Sequence, residues 1–167
     1  YKSRVLIVFR GGCAINCRYC FRRHFPYADN SPNKEGWQQA LDYIKAHPEL
    51  NEVILSGGDP LMAKDEHLAS LISELEQIPH LIRLRIHTRL PVVIPNRLTD
   101  ELRQRLSDSR LQAIMVLHIN HANEIDEHLS TLLNSWRTAG IILLNQSVLL
   151  AGINDSAATL SALSEQL

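Results

Sequence analysis

All three cysteines of this 167-residue chain lie within eight positions, Cys13-Ala14-Ile15-Asn16-Cys17-Arg18-Tyr19-Cys20. Thiolates are soft ligands suited to zinc, copper(I) and iron–sulfur clusters. The spacing Cys-x3-Cys-x2-Cys has three readings. Buried cysteines can act as small hydrophobes, but packing gives no reason to cluster them. Zinc wants four tetrahedral ligands, and His24, four residues after Cys20, would complete a Cys3His set. A cubane iron–sulfur cluster held by three thiolates leaves one iron open, and an open iron binds a chelating small molecule. A Cys17–Cys20 disulfide would strand Cys13 and staple no core. An odd, clustered set argues against a secreted disulfide framework, so a reducing cytoplasm is expected.

Other polar residues fall into a pattern set by the elements around them. Arg4–Phe9 (RVLIVF) is a continuous apolar run of strand length that feeds directly into Gly11-Gly12 and the cysteines. Lys34–Ala46 reads as a helix with Trp37, Ala40, Leu41 and Ile44 on one face, stopped by Pro48. Between them, Phe21–Asn33 is irregular and rich in Pro and Asn. Glu52–Ser56 is a second strand closed by Gly57-Gly58-Asp59-Pro60, followed by a helix over Lys64–Gln77. Leu81–Thr88, Gln112–His118 and a segment within Ile141–Leu150 supply three more strands. Helices over Thr99–Ser107, Glu124–Ala139 and the C-terminal residues separate or follow them. Thr99 is an N-cap candidate, Gly140 a C′ residue, and Asn154 or Asp155 the cap of the last helix.

From the second strand on, strands recur roughly every 29–31 residues, about one βα unit each. Apolar strands alternating with amphipathic helices imply a parallel sheet with right-handed crossovers. Cys13–Cys20, Gly57–Asp59, Thr88-Arg89, His118–His121 and Asn145-Gln146 all fall at or after C-terminal strand ends. Such residues converge on one mouth if the sheet curls, whereas an open doubly wound sheet spreads them along an edge. The fold class expected is α/β: a partial (β/α) TIM-like barrel of parallel strands with about five βα units. Its open side at the fifth strand needs covering, because an exposed parallel edge is a liability.

Composition narrows the partners. Net charge is −1 and apolar residues make up 45% of the chain. That balance makes no electrostatic case for nucleic acid, and no apolar run reaches membrane-spanning length. The chain opens on Tyr1 without a charged-then-apolar leader and closes on a helix that looks cut off in progress. We therefore expect residues 1–167 to be a single core domain excised from a longer protein.

Cys13-x3-Cys17-x2-Cys20, with aromatic Tyr19 before the last cysteine, resembles the signature of radical S-adenosylmethionine (SAM) enzymes, and Gly57-Gly58-Asp59-Pro60 resembles their glycine-glycine-acid motif. A narrower resemblance, to lysine 2,3-aminomutase, runs through several segments. They are Tyr1-x2-Arg4-Val5-Leu6, Cys17–Arg23, Leu55–Asp59, Arg89-x-Pro91-Val92-Val93, His118-x-Asn120-His121-x-Asn123-Glu124 and Asn145–Leu150. It is nearest the branch that makes (R)-β-lysine for modification of elongation factor P, although the segment around Phe21–Asn33 differs from the catabolic mutases.

The resemblance implies an isomerase, metal-binding through a [4Fe-4S] cluster, that moves the amino group of L-lysine from Cα to Cβ using SAM and pyridoxal phosphate (PLP). Cys13, Cys17 and Cys20 would ligate the cluster. Gly57, Gly58, Asp59, His118 and Gln146 would hold SAM, with the Asp59 carboxylate facing its ammonium group. Arg22 would grip the substrate carboxylate, and Arg4 and Asn145 would contact PLP. A lysine substrate and a reductant such as flavodoxin or ferredoxin follow, and a homo-oligomer is left open. The Schiff-base lysine of the family comes from beyond this segment, since none of Lys2, Lys34, Lys45 and Lys64 suits the role. The competing readings are a Cys3His zinc module and a radical SAM enzyme acting on another amino acid.

Overall fold

A computed structural model describes residues 2–25 and 34–167. Tyr1 and the Pro/Asn-rich stretch 26–33 lie outside the described residues, as do the side chains of Lys34 and Glu35. The elements run β1 (Arg4–Arg10), α1 (Lys34–Ala46), β2 (Glu52–Gly57), α2 (Asp65–Glu76), β3 (Arg83–Thr88), a one-turn helix α3 (Leu90–Val93), α4 (Asp100–Ser107), β4 (Gln112–Leu117), α5 (Glu127–Thr138), β5 (Ile142–Asn145) and α6 (Ala157–Gln166).

The five strands form one parallel sheet in the order β1-β2-β3-β4-β5. Strand order decides between the two architectures. A doubly wound sheet reverses direction at a switch point, whereas sequential order with right-handed crossovers keeps every helix on one face. The sheet is therefore a barrel segment, and β1 and β5 are its unjoined edges.

Side-chain parity divides the two faces. Ile7, Phe9, Val53, Leu55, Leu84, Ile86, Ala113, Met115 and Leu117 face the helices and are buried in one core with Leu41, Ile44, Leu68, Ile72, Leu102, Leu129 and Trp136. Phe9 meets Trp37 edge to face at 4.8 Å. Alternate residues line the concave face: Leu6, Ile54, Arg85 and His87 all bound one cavity there. At its floor the buried Glu52 carboxylate accepts from Arg85 Nε at 2.7 Å and pairs with Arg4 Nε at 3.1 Å, with Arg83 Nε at 4.0 Å. A buried carboxylate persists only when paired, and these guanidiniums supply the charge.

Local signals explain the element ends. Thr99 caps α4 by accepting from Leu102 N, and Gly140 adopts φ +87° after α5. Four boundaries differ from the sequence reading. Leu81 closes a turn, its N donating to Ile78 O, so β3 starts at Arg83 rather than at Leu81. Glu124, the start assigned to the helix over Glu124–Ala139, belongs to a separate 3₁₀ turn, Ala122–Glu124, and Asp126 caps α5. Ser156, not Asn154 or Asp155, caps α6, because the Asn154 side chain is occupied inside the fold. The Pro-bounded loop after β3 carries α3 and a 3₁₀ turn, Pro95–Arg97. Among the described residues, no helix is long and apolar enough to cross a membrane.

Candidate functional site

The cysteine loop leaves β1 through Gly11-Gly12 and is joined by backbone to the loop after β2. Gly58 N donates to Arg10 O at 2.6 Å, and Asp59 N donates to Gly12 O at 2.9 Å. A Cβ on Gly58 would meet Gly12 O at 2.3 Å, and one on Gly57, at φ +118°, would meet Arg10 O at 2.7 Å. The two glycines thus permit close contact between two backbones. Cys20 N donates to Cys17 O and Arg23 N to Cys20 O, tight turns that present Cys17 and Cys20 together. All three cysteines are free thiols and line one cavity of about 370 Å³ with Tyr19, Arg22, Asp59, Arg85, His87, His118 and Gln146. Burial, the Asp59 carboxylate and the neighbouring Cys20 and Cys17 push the Cys13 thiol up.

The donor set fits a cubane cluster. Among the described residues no three His, Cys, Asp or Glu side chains converge on a single-ion point, whereas a cubane offers each thiolate its own iron. His24 accepts from Arg23 Nε at 3.1 Å and does not line the cavity, so the Cys3His zinc set is not assembled.

Asp59 is 6% exposed and both carboxylate oxygens are engaged. Oδ1 accepts from Leu61 N at 3.0 Å and Thr88 Oγ1 at 2.7 Å; Oδ2 accepts from Arg89 N at 2.8 Å and Leu90 N at 2.9 Å. A carboxylate has about four acceptor sites. Asp59 therefore fastens the β2 loop to the end of β3 and the start of α3, a different use from the free acceptor expected of it. Thr88, 1% exposed, both donates to Asp59 and accepts from Leu90 N at 3.0 Å. No helical spacing flagged Thr88; its place at a strand end was the available signal.

His118 and His87 stand edge to face with ring centroids 5.7 Å apart, and His118 Nε2 lies 3.4 Å from His87 Nδ1. Burial, then His118, Arg85 and Arg22, depress His87 to about 4. Burial chiefly depresses His118, with Arg89 adding and Asp59 opposing. Both imidazoles are thus kept neutral near pH 7. His87 and Arg85, given no role by the sequence reading, reach the cavity because Arg83, Arg85 and His87 alternate with Leu84 and Ile86. That period of two was the signal that one face of β3 is polar.

Arg22 donates through Nη1 to Ser56 Oγ at 2.9 Å and Gly57 O at 3.4 Å, which aims its guanidinium along the cavity wall. Gln146 lines the cavity, its N donating to Leu117 O at 2.8 Å. Arg4 lies elsewhere, at the opposite end of β1 from the cysteines, paired with Glu52. Asn145 is turned to the Ile119 peptide, accepting from its N and donating to its O, both at 3.0 Å, and is not among the cavity-lining residues. A second cavity of about 540 Å³ lies outside the sheet between α1 and α2, lined by Trp37, Leu41, His67 and Glu74. It contains none of the groups expected to do chemistry.

Residues 7–156 match the radical SAM superfamily model. The chain is 61% identical over 167 residues to the L-lysine 2,3-aminomutase of Haemophilus influenzae and 58% identical to that of Escherichia coli, covering all of this chain and 49% of each relative. Identity to the L-lysine 2,3-aminomutase of Clostridium subterminale is 42% over 156 residues, 93% of this chain and 37% of that protein. The chain thus spans about half the length of the curated relatives it matches. Among solved structures, anSMEcpe with bound AdoMet and a Kp18Cys peptide superposes with TM-score 0.68 over 98% of this chain and 47% of that one. Coproporphyrinogen III oxidase from Escherichia coli, a radical SAM enzyme, superposes with TM-score 0.60 over 99% of this chain and 42% of that one. At 14% and 15% identity, both concern the fold. With its family model, its half-barrel and its cysteine loop in agreement, the chain belongs to the radical SAM superfamily.

Proposed function

We propose that residues 1–167 form the radical-generating core of an enzyme that converts L-lysine to β-lysine. The observation that carries this reading is the cavity itself: three free thiols, His118 and Gln146 line one concave mouth. Cys13, Cys17 and Cys20 would hold a [4Fe-4S] cluster. When bound, the cluster supplies the electron that cleaves the SAM sulfonium, and PLP supplies the carbonyl that captures the lysine amine.

This chain's residues place and shield the reactants. The joined Gly11-Gly12 and Gly57-Gly58 backbones hold the cysteine loop against the mouth. His118 and Gln146 offer polar contacts to SAM, with the peptides of Gly57, Gly58 and Asp59 beside them. The Asp59 carboxylate acts on SAM through the backbone it fastens. Arg22, a planar fork tied at one nitrogen, suits a carboxylate of the substrate. Arg4, Arg83 and Arg85 gather around Glu52 at the concave floor, and their guanidiniums suit an anionic group such as the PLP phosphate. Asn145 would serve PLP indirectly, by shaping the segment around Ile119 and Ser147.

The finer reading adds a Schiff-base lysine outside residues 1–167, a flavodoxin- or ferredoxin-like reductant, cytoplasmic residence, and β-lysine destined for elongation factor P. The full-length protein, reconstituted anaerobically and given lysine, SAM, PLP and reductant, should form β-lysine. Turnover of another amino acid in preference to lysine would overturn the substrate assignment. Borohydride reduction with PLP followed by peptide mapping should label a lysine outside residues 1–167.

A further inference from the structure

The backbone of His118 is held from two sides. Its N donates to Thr88 O at 2.9 Å, and its O accepts from Arg89 Nη1 at 2.7 Å. Arg89 is itself anchored, its Nη2 donating to Glu124 Oε1 at 2.9 Å. These bonds leave the side-chain torsions of His118 to decide where its imidazole nitrogens point. A contact from β3 limits them. His118 Nε2 lies 3.4 Å from His87 Nδ1, within hydrogen-bond reach, and the two rings cross at 79° with centroids 5.7 Å apart. His87 stands one pleat deeper on the concave face, because its ladder partner is Val116, two residues before His118. Both rings line the cavity that the cysteines line.

A neutral imidazole has one donor nitrogen and one acceptor nitrogen. Two such rings joined by a single bond are therefore linked in tautomer. If His118 Nε2 donates, His118 Nδ1 is an acceptor; if His87 Nδ1 donates, His118 Nδ1 carries the proton. Either way Nε2 is committed to His87, and a molecule in the mouth meets the His118 ring at Nδ1. We propose that His87 is a positioning residue for the SAM site: its Nδ1 holds the His118 ring by Nε2 and so presents His118 Nδ1 to SAM. Burial, which keeps both rings neutral, suits such an N–H···N bond. The inference rests on the reading of His118 as a SAM contact.

The test is a calorimetric titration of SAM into the anaerobically reconstituted full-length protein. His87→Phe keeps a ring and removes both nitrogens. His87→Asn and His87→Gln tell the two nitrogens apart, because an Asn amide reaches the place of Nδ1 and a Gln amide that of Nε2. All three variants should retain about four iron atoms per chain, as a cubane requires. His87→Phe and His87→Gln should raise the Kd for SAM roughly five-fold, the scale of one hydrogen bond, and His87→Asn should stay within about two-fold of wild type. His118→Ala should also weaken SAM binding, and adding His87→Phe to it should cost nothing further. A wild-type protein that takes up no iron or no SAM, or a His118→Ala variant that binds SAM as tightly as wild type, refutes the SAM-site reading and this inference with it. Where His118→Ala does weaken SAM binding, three results refute this inference alone: wild-type affinity in His87→Phe, equal affinities in His87→Asn and His87→Gln, or effects at the two positions that simply add.

Discussion

Replacing Asp59 separates two roles for an acidic residue in a glycine-glycine-acid loop. If its carboxylate faced the ammonium of SAM, Asp59→Asn would weaken SAM binding and leave the ligand-free protein at least as stable. The structure predicts the reverse order of effects. Four donors meet this carboxylate, three of them backbone amides. An asparagine retains one oxygen, so two donors lose their acceptor and one amide nitrogen faces them. Leu90 N has a fallback in Thr88 Oγ1 at 3.0 Å. One to two buried donors left unsatisfied cost about 2–4 kcal/mol. Near 2–4 °C per kcal/mol, that is a fall of roughly 5–15 °C in Tm. Thermal unfolding of the ligand-free protein, with guanidinium unfolding beside it, measures this directly. Thr88→Val, which breaks the same clamp from its other side, should also destabilise, and the double variant should cost less than the sum. An unchanged or raised Tm for Asp59→Asn, together with lost SAM binding, would refute the clamp.

Three further outcomes follow. Gly58→Ala should abolish cluster uptake and leave the protein poorly folded, because its Cβ would stand 2.3 Å from Gly12 O, a backbone atom; iron content and circular dichroism check this. His87, depressed from its usual 6.5 to about 4 by burial first and then by His118, Arg85 and Arg22, binds protons more readily unfolded than folded. Stability should therefore be undiminished above pH ~7 and decline as pH falls towards 4, and His87→Gln should flatten that decline in denaturant midpoints. Arg22→Lys loses the planar fork and should raise the KM for lysine on the order of ten-fold while leaving uncoupled SAM cleavage intact; equal losses in both activities would contradict a substrate role.

Much of the architecture was legible because it rests on repeating patterns. Buried parallel strands announce themselves as apolar runs, as Arg4–Phe9 and Gln112–His118 do, and helix faces repeat at fixed intervals, as Leu68, Leu71, Ile72 and Leu75 do. Strand order was not legible, and it was the sequential order that settled the half-barrel. The cysteines, His118 and Gln146 were identifiable from type and place, and all line one cavity. What single residues do there depends on partners distant in sequence. Asp59 is consumed by donors about 30 positions on, and Asn145 by the peptide of Ile119. Asn154 looked like a helix cap because short polar residues favour caps. It is instead fully buried, bridging Asn120 and Val148, a contact no local pattern encodes.

The central claim is that Cys13, Cys17 and Cys20 hold one cluster with an iron open to SAM. Anaerobic reconstitution of the full-length protein, followed by electron paramagnetic resonance of the reduced sample with and without SAM, tests it most directly. The account predicts iron bound as a cubane and a reduced-cluster signal that changes when SAM is added, both lost in Cys17→Ala. Stoichiometric zinc without iron, or a cluster signal indifferent to SAM, would contradict it.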